Sequence, residues 1–235
     1  MKKILLLLLC LVLLIFASYS VARMTPAMFG GGVGAAGGAP EYSFYFDFED
    51  DVGSIVANEP SDLAGTNNNA TREATPQAGT YSYLFNASQE YIAFSTSEDA
   101  VIDDALGWCT YYIYVNSLAA ARYGNIIRES EGVEILIDYQ TGGNVRIRYY
   151  DGSATAGVTS TDTIAIEGWY LIAVGWDAAN DKVGIKIGAG SWATSTSTAF
   201  APMGNATNLF VGSAGANLTD YYIDEMRCYK TTPGW

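Results

Sequence analysis

From residue 42 onward, apolar and polar residues alternate in short runs separated by turn residues. A period of two marks a half-buried strand. In Tyr42–Glu49 (YSFYFDFE) the alternation puts Phe44, Phe46 and Phe48 on one face and Tyr45, Asp47 and Glu49 on the other. Short strands follow at Tyr81–Phe85 and Tyr91–Phe94, around an Asn86-Ala87-Ser88 turn, then a long one at Trp108–Val115 (WCTYYIYV). Asn125–Arg128, Val133–Tyr139 and Asn144–Tyr150 come next, the last two joined across Thr141-Gly142-Gly143. In Asn144–Tyr150, Arg146 and Arg148 alternate with Val145, Ile147 and Tyr149, as on a strand with one wet face. Gly168–Asp177 turns through Ala178–Asp181 into Lys182–Ile187, and Asn208–Gly212 and Tyr221–Tyr229 complete the series.

No segment carries a long helical period. The best helical candidate is a short turn near Glu98–Leu106, and residues 59–80, rich in Asn, Thr and Gly, read as a long loop. Many strands joined by tight turns, without helical crossovers, predict an all-β, two-sheet antiparallel β-sandwich of the jelly-roll kind. Residues 41–235 are one domain on this reading, a size all-β domains commonly reach.

The first 40 residues follow another pattern. A basic Met1-Lys2-Lys3 precedes an apolar run from Ile4 to Ala17, and Ser20-Val21-Ala22 offers small residues for cleavage. This predicts a signal peptide over residues 1–22 and an exported protein, secreted, periplasmic or on the cell surface. No stable membrane span is expected to remain once it is removed. Residues 23–40 are rich in Gly and Ala and read as a flexible tether. Only Cys109 and Cys228 lie beyond the leader. In an oxidising compartment they can bridge; two separately buried thiols fit the sequence equally.

Charge and composition narrow the chemistry. The net charge is −13, and removing Lys2 and Lys3 takes it to about −15. Such a surface repels phosphate backbones, so nucleic acid is not an expected partner. There is no histidine. Histidine-based nucleophilic catalysis and histidine-ligated metals are therefore excluded. A sugar-binding face needs exposed rings with amide or carboxylate groups beside them. Trp192, in the Gly188–Thr194 turn, is the foremost candidate, with Tyr139, Tyr149, Tyr150 and Asn144 as further ones. Trp108, Trp169 and Trp176 read as packing residues.

Three ordered pieces resemble the laminin-G-like branch of the concanavalin A-like lectin/glucanase superfamily: Gly107–Val115, Gly168–Asp177 running into Lys182–Ile187, and Leu209–Gly212 followed by Tyr222–Tyr229 with its Ile223-Asp224-Glu225 core. The resemblance implies a lectin-like jelly roll whose partner is a glycan or an extracellular protein. It also implies a structural calcium ion between first and last strands, with Asp47, Glu49 and Asp224 as ligands. A solvated acidic strand end is the other reading of those residues. Glucanases of the superfamily place two glutamates around an aspartate on one strand, a spacing that aims the carboxylates into one cleft. Glu129, Glu131 and Glu134 near Asp138 have the wrong order and spacing. The expectation is therefore a binding domain and not an enzyme. A structural or adhesive module, and a glycoside hydrolase with an unrecognised carboxylate pair, are the alternatives.

Overall fold

The computed structural model describes residues 42–60, 63–95, 102–130, 133–203, 208–213 and 220–235, without the side chains of residues 125 and 128–130. The expected leader (1–22), the tether (23–40) and Glu131 lie outside these residues. In chain order the strands are β1 (Phe44–Phe46), β2 (Ile55–Val56), β3 (Ala64–Asn68), β4 (Thr71–Glu73), β5 (Ser82–Phe85) and β6 (Tyr91–Ser95). They continue as β7 (Leu106–Val115), β8 (Arg122–Ser130), β9 (Val133–Tyr139), β10 (Asn144–Asp151) and β11 (Thr155–Thr163). The last are β12 (Trp169–Asp177), β13 (Lys182–Ile187), β14 (Ala193–Ser195), β15 (Asn208–Gly212) and β16 (Tyr221–Tyr229).

The strands form two antiparallel sheets, a β-sandwich. The first runs β14-β13-β12-β7-β16-β5-β4, with β1 also paired to β16. The second runs β11-β10-β9-β8-β15-β6-β3-β2. The inward sets are the apolar halves of the alternations. Cys109, Tyr111, Ile113 and Val115 of β7 face Ile135, Ile137 and Tyr139 of β9 within one buried core. Phe44, Phe46 and Phe48 are all fully buried, and Phe46 meets Phe94 of the opposite sheet edge-on at 5.3 Å. Cross-sheet aromatic packing of this kind adds to the area term.

Three local expectations need correction. Residues 59–80 hold β3 and β4 instead of one long loop: β3 pairs between β6 and the short β2, and β4 pairs with β5 at a sheet edge, through backbone hydrogen bonds that need no apolar side chains. Of the expected helical turn, residues 98–101 lie outside the described residues, and Ile102–Ala105 carry no helix before β7 begins. β11 was hidden by its Thr and Ser content, yet it pairs with β10 from Tyr150↔Thr155 to Asn144↔Thr163. The turn after β12 is a single 3-10 turn at Ala178–Asn180. Asp177 caps it by accepting from Asn180 N at 3.2 Å.

Cys109 and Cys228 are directly opposite in the β7–β16 register, and their sulfurs form a disulfide. Among the described residues, no helix is long and apolar enough to cross a membrane.

Candidate functional site

The outer face of the first sheet is built by the other half of the alternations. β7 sends Trp108, Thr110, Tyr112 and Tyr114 outward, because its partners Cys109, Tyr111, Ile113 and Val115 fill the core. Register places Trp169 beside Tyr114, Leu171 beside Tyr112, Ala173 beside Thr110 and Gly175 beside Trp108. From β16, Tyr222 lies beside Tyr114, Arg227 beside Thr110 and Tyr229 beside Trp108. The result is two aromatic groups on one face. At one end, Tyr114 meets Trp169 at 5.6 Å and Tyr222 at 5.7 Å, all three partly exposed. At the other, Trp108 stacks on Tyr229 at 3.9 Å. Six residues of strand separate Trp108 from Tyr114, roughly 20 Å at the usual rise.

Residues 230–235 lie over the Trp108 end. Trp108 Nε1 donates to Thr231 Oγ1 at 3.3 Å. The Trp235 ring rests on β12 and β13 because Gly175 and Gly184 have no side chain. A Cβ at either would stand 2.8 Å from that ring, and at Gly175 it would also meet Pro233 at 2.6 Å. Lys182 Nζ sits 4.6 Å over the Trp235 ring, and Trp192 approaches the ring edge-on at 5.5 Å. Trp192 is thus partly exposed as the sequence suggested, but it belongs to an aromatic pair. Trp108, read from sequence as a packing residue, is buried against Tyr229, and Trp176 is in the core, whereas Trp169 is partly exposed on this outer face. The missed signal was in β7 itself, since assigning Cys109, Ile113 and Val115 to the interior forces Trp108, Tyr112 and Tyr114 outward.

The expected calcium ligands are dispersed among other tasks. Asp47 accepts from Asn58 Nδ2 at 2.8 Å and from Glu49 N at 3.1 Å. Glu49 Oε1 accepts the amides of Thr80 and Tyr81 at 2.7 and 3.1 Å. Asp224 Oδ2 accepts the amides of Gln77 and Ala78 at 2.8 and 2.9 Å, and its Oδ1 is buried without a partner. Among the described residues, no three of Asp, Glu, Cys or His are grouped to hold a metal ion. The three carboxylates that the resemblance implied as calcium ligands are thus each engaged with groups of the chain itself. They hold backbone amides and an amide side chain, which gives Glu49 and Asp224 a shared role in seating residues 77–81. Burial pushes the Asp224 carboxyl up to about 7, against the lowering effect of the Ala78 and Gln77 amides.

The outer face of the second sheet is polar. Asp138 of β9 lies between Arg146 and Arg148 of β10 and accepts from both guanidinium groups, from Arg146 Nε at 2.8 Å. Arg148 also donates to Tyr150, whose ring lies 5.4 Å from it, and the Tyr123 ring lies 5.9 Å from it on the β8 side. Tyr150 and Asn144 are partly exposed here, and Asn144 donates to Ser160 O at 3.1 Å. Tyr139 and Tyr149 are not surface groups, which corrects the sequence reading. Both are buried on the inner face, where Tyr139 shares a hydrogen bond with Tyr111 at 2.9 Å and Tyr149 donates to Asp104 O at 2.7 Å. Burial raises both phenols above their ordinary range, so they stay neutral.

Comparison with known proteins bears on the fold. No family model and no curated protein sequence matches the chain. Among solved structures, Trypanosoma rangeli sialidase is similar over 80% of this chain and 30% of its own, at 9% identity and a TM-score of 0.60. The same sialidase in a covalent complex with 2,3-difluorosialic acid is similar over 92% of this chain and 34% of its own, with 11% identity and a TM-score of 0.61. A mutant of HCR/D is similar over 81% of this chain and 48% of its own, with 9% identity and a TM-score of 0.61. The chain thus spans about a third of the sialidases and about half of HCR/D. At such identity the likeness is one of fold. It still corrects the expectation that the chain is not an enzyme: the solved chains that contain a similar sandwich include sialidases, and missing histidine and a missing paired-glutamate strand do not exclude enzymes as a class. The β-sandwich itself, compatible with carbohydrate binding, is common to this chain and its structural neighbours.

Proposed function

We propose that this chain is an exported glycan-recognition domain, a laminin-G-like member of the concanavalin A-like group. It takes its ligand on the outer face of the first sheet. The observation that carries this is the partly exposed Tyr114–Trp169–Tyr222 cluster, set on rigid neighbouring strands roughly 20 Å from Trp108. Pyranose rings present apolar C–H faces that stack on aromatic rings, and rings fixed by strand register lose little entropy on binding. Tyr112 and Arg227, partly exposed on the same face, carry a hydroxyl and a guanidinium group between the two aromatic groups. The acidic chain also favours a glycan partner over nucleic acid.

A glycan array probed with the full domain, followed by titration calorimetry of the hits, tests the reading. Trp169→Ala and Tyr222→Ala should each weaken binding tenfold or more, about 1.4 kcal/mol. The same hits are incubated and followed for release of reducing ends, which detects turnover. Binding of an extracellular protein with no glycan hit, or glycan binding unmoved by both variants, would remove this proposal.

A further inference from the structure

We propose that Arg146 and Arg148, on the outer face of the second sheet, form a separate binding site for the carboxylate of an acidic sugar. The first observation is one of charge. Asp138 is 1% exposed and accepts from both arginines. One carboxylate between two guanidinium groups leaves a positive charge over, on a chain whose net charge is −13. A single arginine would suffice to pair a buried aspartate. The second is not enclosed: the Arg146 side chain is 38% exposed, and its Nη1 donates to no described residue.

The second observation is independent of charge. Arg148 Nε is buried and has no acceptor among the described residues. Asp138 and Tyr150 thus use the Nη groups of Arg148 and leave its guanidinium short of a full set of acceptors. The surroundings favour a sugar acid over a bare anion. The partly exposed Tyr150 ring offers a stacking face beside Arg148, and register puts the exposed Thr159 hydroxyl next to Arg146. A guanidinium fork matches a carboxylate in plane and in charge. The neighbouring acid is Glu134, buried on β9, opposite Tyr150 on one side and Arg128 on the other. Recognition rests on short guanidinium–carboxylate contacts at a partly exposed site, and salt should screen and weaken them.

The test is protein-observed NMR titration of the whole domain with glucuronate, glucose and acetate. Glucuronate should bind at least tenfold more tightly than either of the others, shift the amides of residues 144–150, and weaken several-fold between 50 and 300 mM NaCl. Arg146→Gln should remove the preference for the acid. The fold should survive, because Asp138 keeps Arg148, and an unchanged amide spectrum elsewhere verifies this. Arg146→Lys should restore part of the affinity, and Tyr150→Phe should keep the stacking face. Absent glucuronate binding, equal binding of glucose or acetate, or an unchanged affinity in Arg146→Gln would each overturn the site. Shifts confined to residues 108–114 would place any binding on the aromatic face and overturn it as well. Failure here leaves the aromatic-face reading intact, since that reading is tested by Trp169 and Tyr222.

Discussion

Asp224 Oδ2 accepts the backbone amide of Ala78 at 2.9 Å, which ties the last strand to a segment 146 positions earlier in the chain. Burial raises this carboxyl to about 7 in the folded protein, whereas a free aspartate titrates near about 3.9. Between those values the folded state holds a proton that the unfolded chain has released. The linked stability is fully present below about pH 4 and is lost as pH rises through about 7. Urea midpoints measured from pH 5 to pH 8 should therefore fall with this contribution, and Asp224→Asn should flatten the profile. A slope unchanged in that variant would remove Asp224 as its source.

Asp151 acts in the opposite direction at lower pH. Burial alone would raise its carboxyl, but the amides of Ala154, Ala201 and Ser153 and the Ser153 hydroxyl outweigh it and bring it down to about 2. Its contribution is present above about pH 4 and is lost as pH falls toward 2. Asp151→Asn should lower the midpoint at pH 6 and leave it unchanged at pH 2, read by circular dichroism.

The Trp235 ring depends on the bare backbone of Gly184. In Gly184→Ala the new Cβ would stand 2.8 Å from the ring, and a side chain can yield where backbone cannot. The ring should lift from the sheet, at a cost of about 1–3 kcal/mol for overpacking. The indole resonance of Trp235 should move and its acrylamide quenching should rise. An indole signal that stays in place would contradict the close packing.

The Cys109–Cys228 bridge closes a loop with a sequence separation of 119 residues. Cys109→Ser with Cys228→Ser should cost about 2–5 kcal/mol. The expected readout is a lower thermal midpoint that reducing agent no longer changes, whereas wild type should fall toward the double variant when reduced.

Strand existence was legible wherever alternation was clean. Val133–Tyr139 and Lys182–Ile187 appear with the bounds their patterns predicted. β3 and β11 were not, because their Asn, Thr and Ser residues carry no apolar stripe, and β11 at the sheet edge needs none. The aromatic face was half legible. Once Cys109, Ile113 and Val115 were placed inside, Trp108, Tyr112 and Tyr114 had to face outward. The placement of Trp235 was not legible, since it rests on which strands become neighbours. The same holds for Asp224: sequence shows an acid in the last strand, but only the fold shows that its oxygen meets the Gln77 and Ala78 amides.

Tyr149 and Tyr150 make the last test, because neighbouring tyrosines on one strand serve opposite faces. Tyr149 is fully buried, donates to Asp104 O and packs on Phe200 at 4.3 Å. Tyr149→Ala removes a large core ring and should cost about 3–5 kcal/mol. Tyr149→Phe keeps the ring and loses only the hydroxyl, which should cost about 1 kcal/mol. Tyr150 is partly exposed on the polar face, and Tyr150→Ala should cost under about 1 kcal/mol while weakening any ligand held by Arg148. Urea unfolding with an unchanged m-value separates these outcomes. Equal losses for the two alanine variants would mean that the strand does not present Tyr149 inward and Tyr150 outward, and the register that places Arg146 and Arg148 beside Asp138 would fall with it.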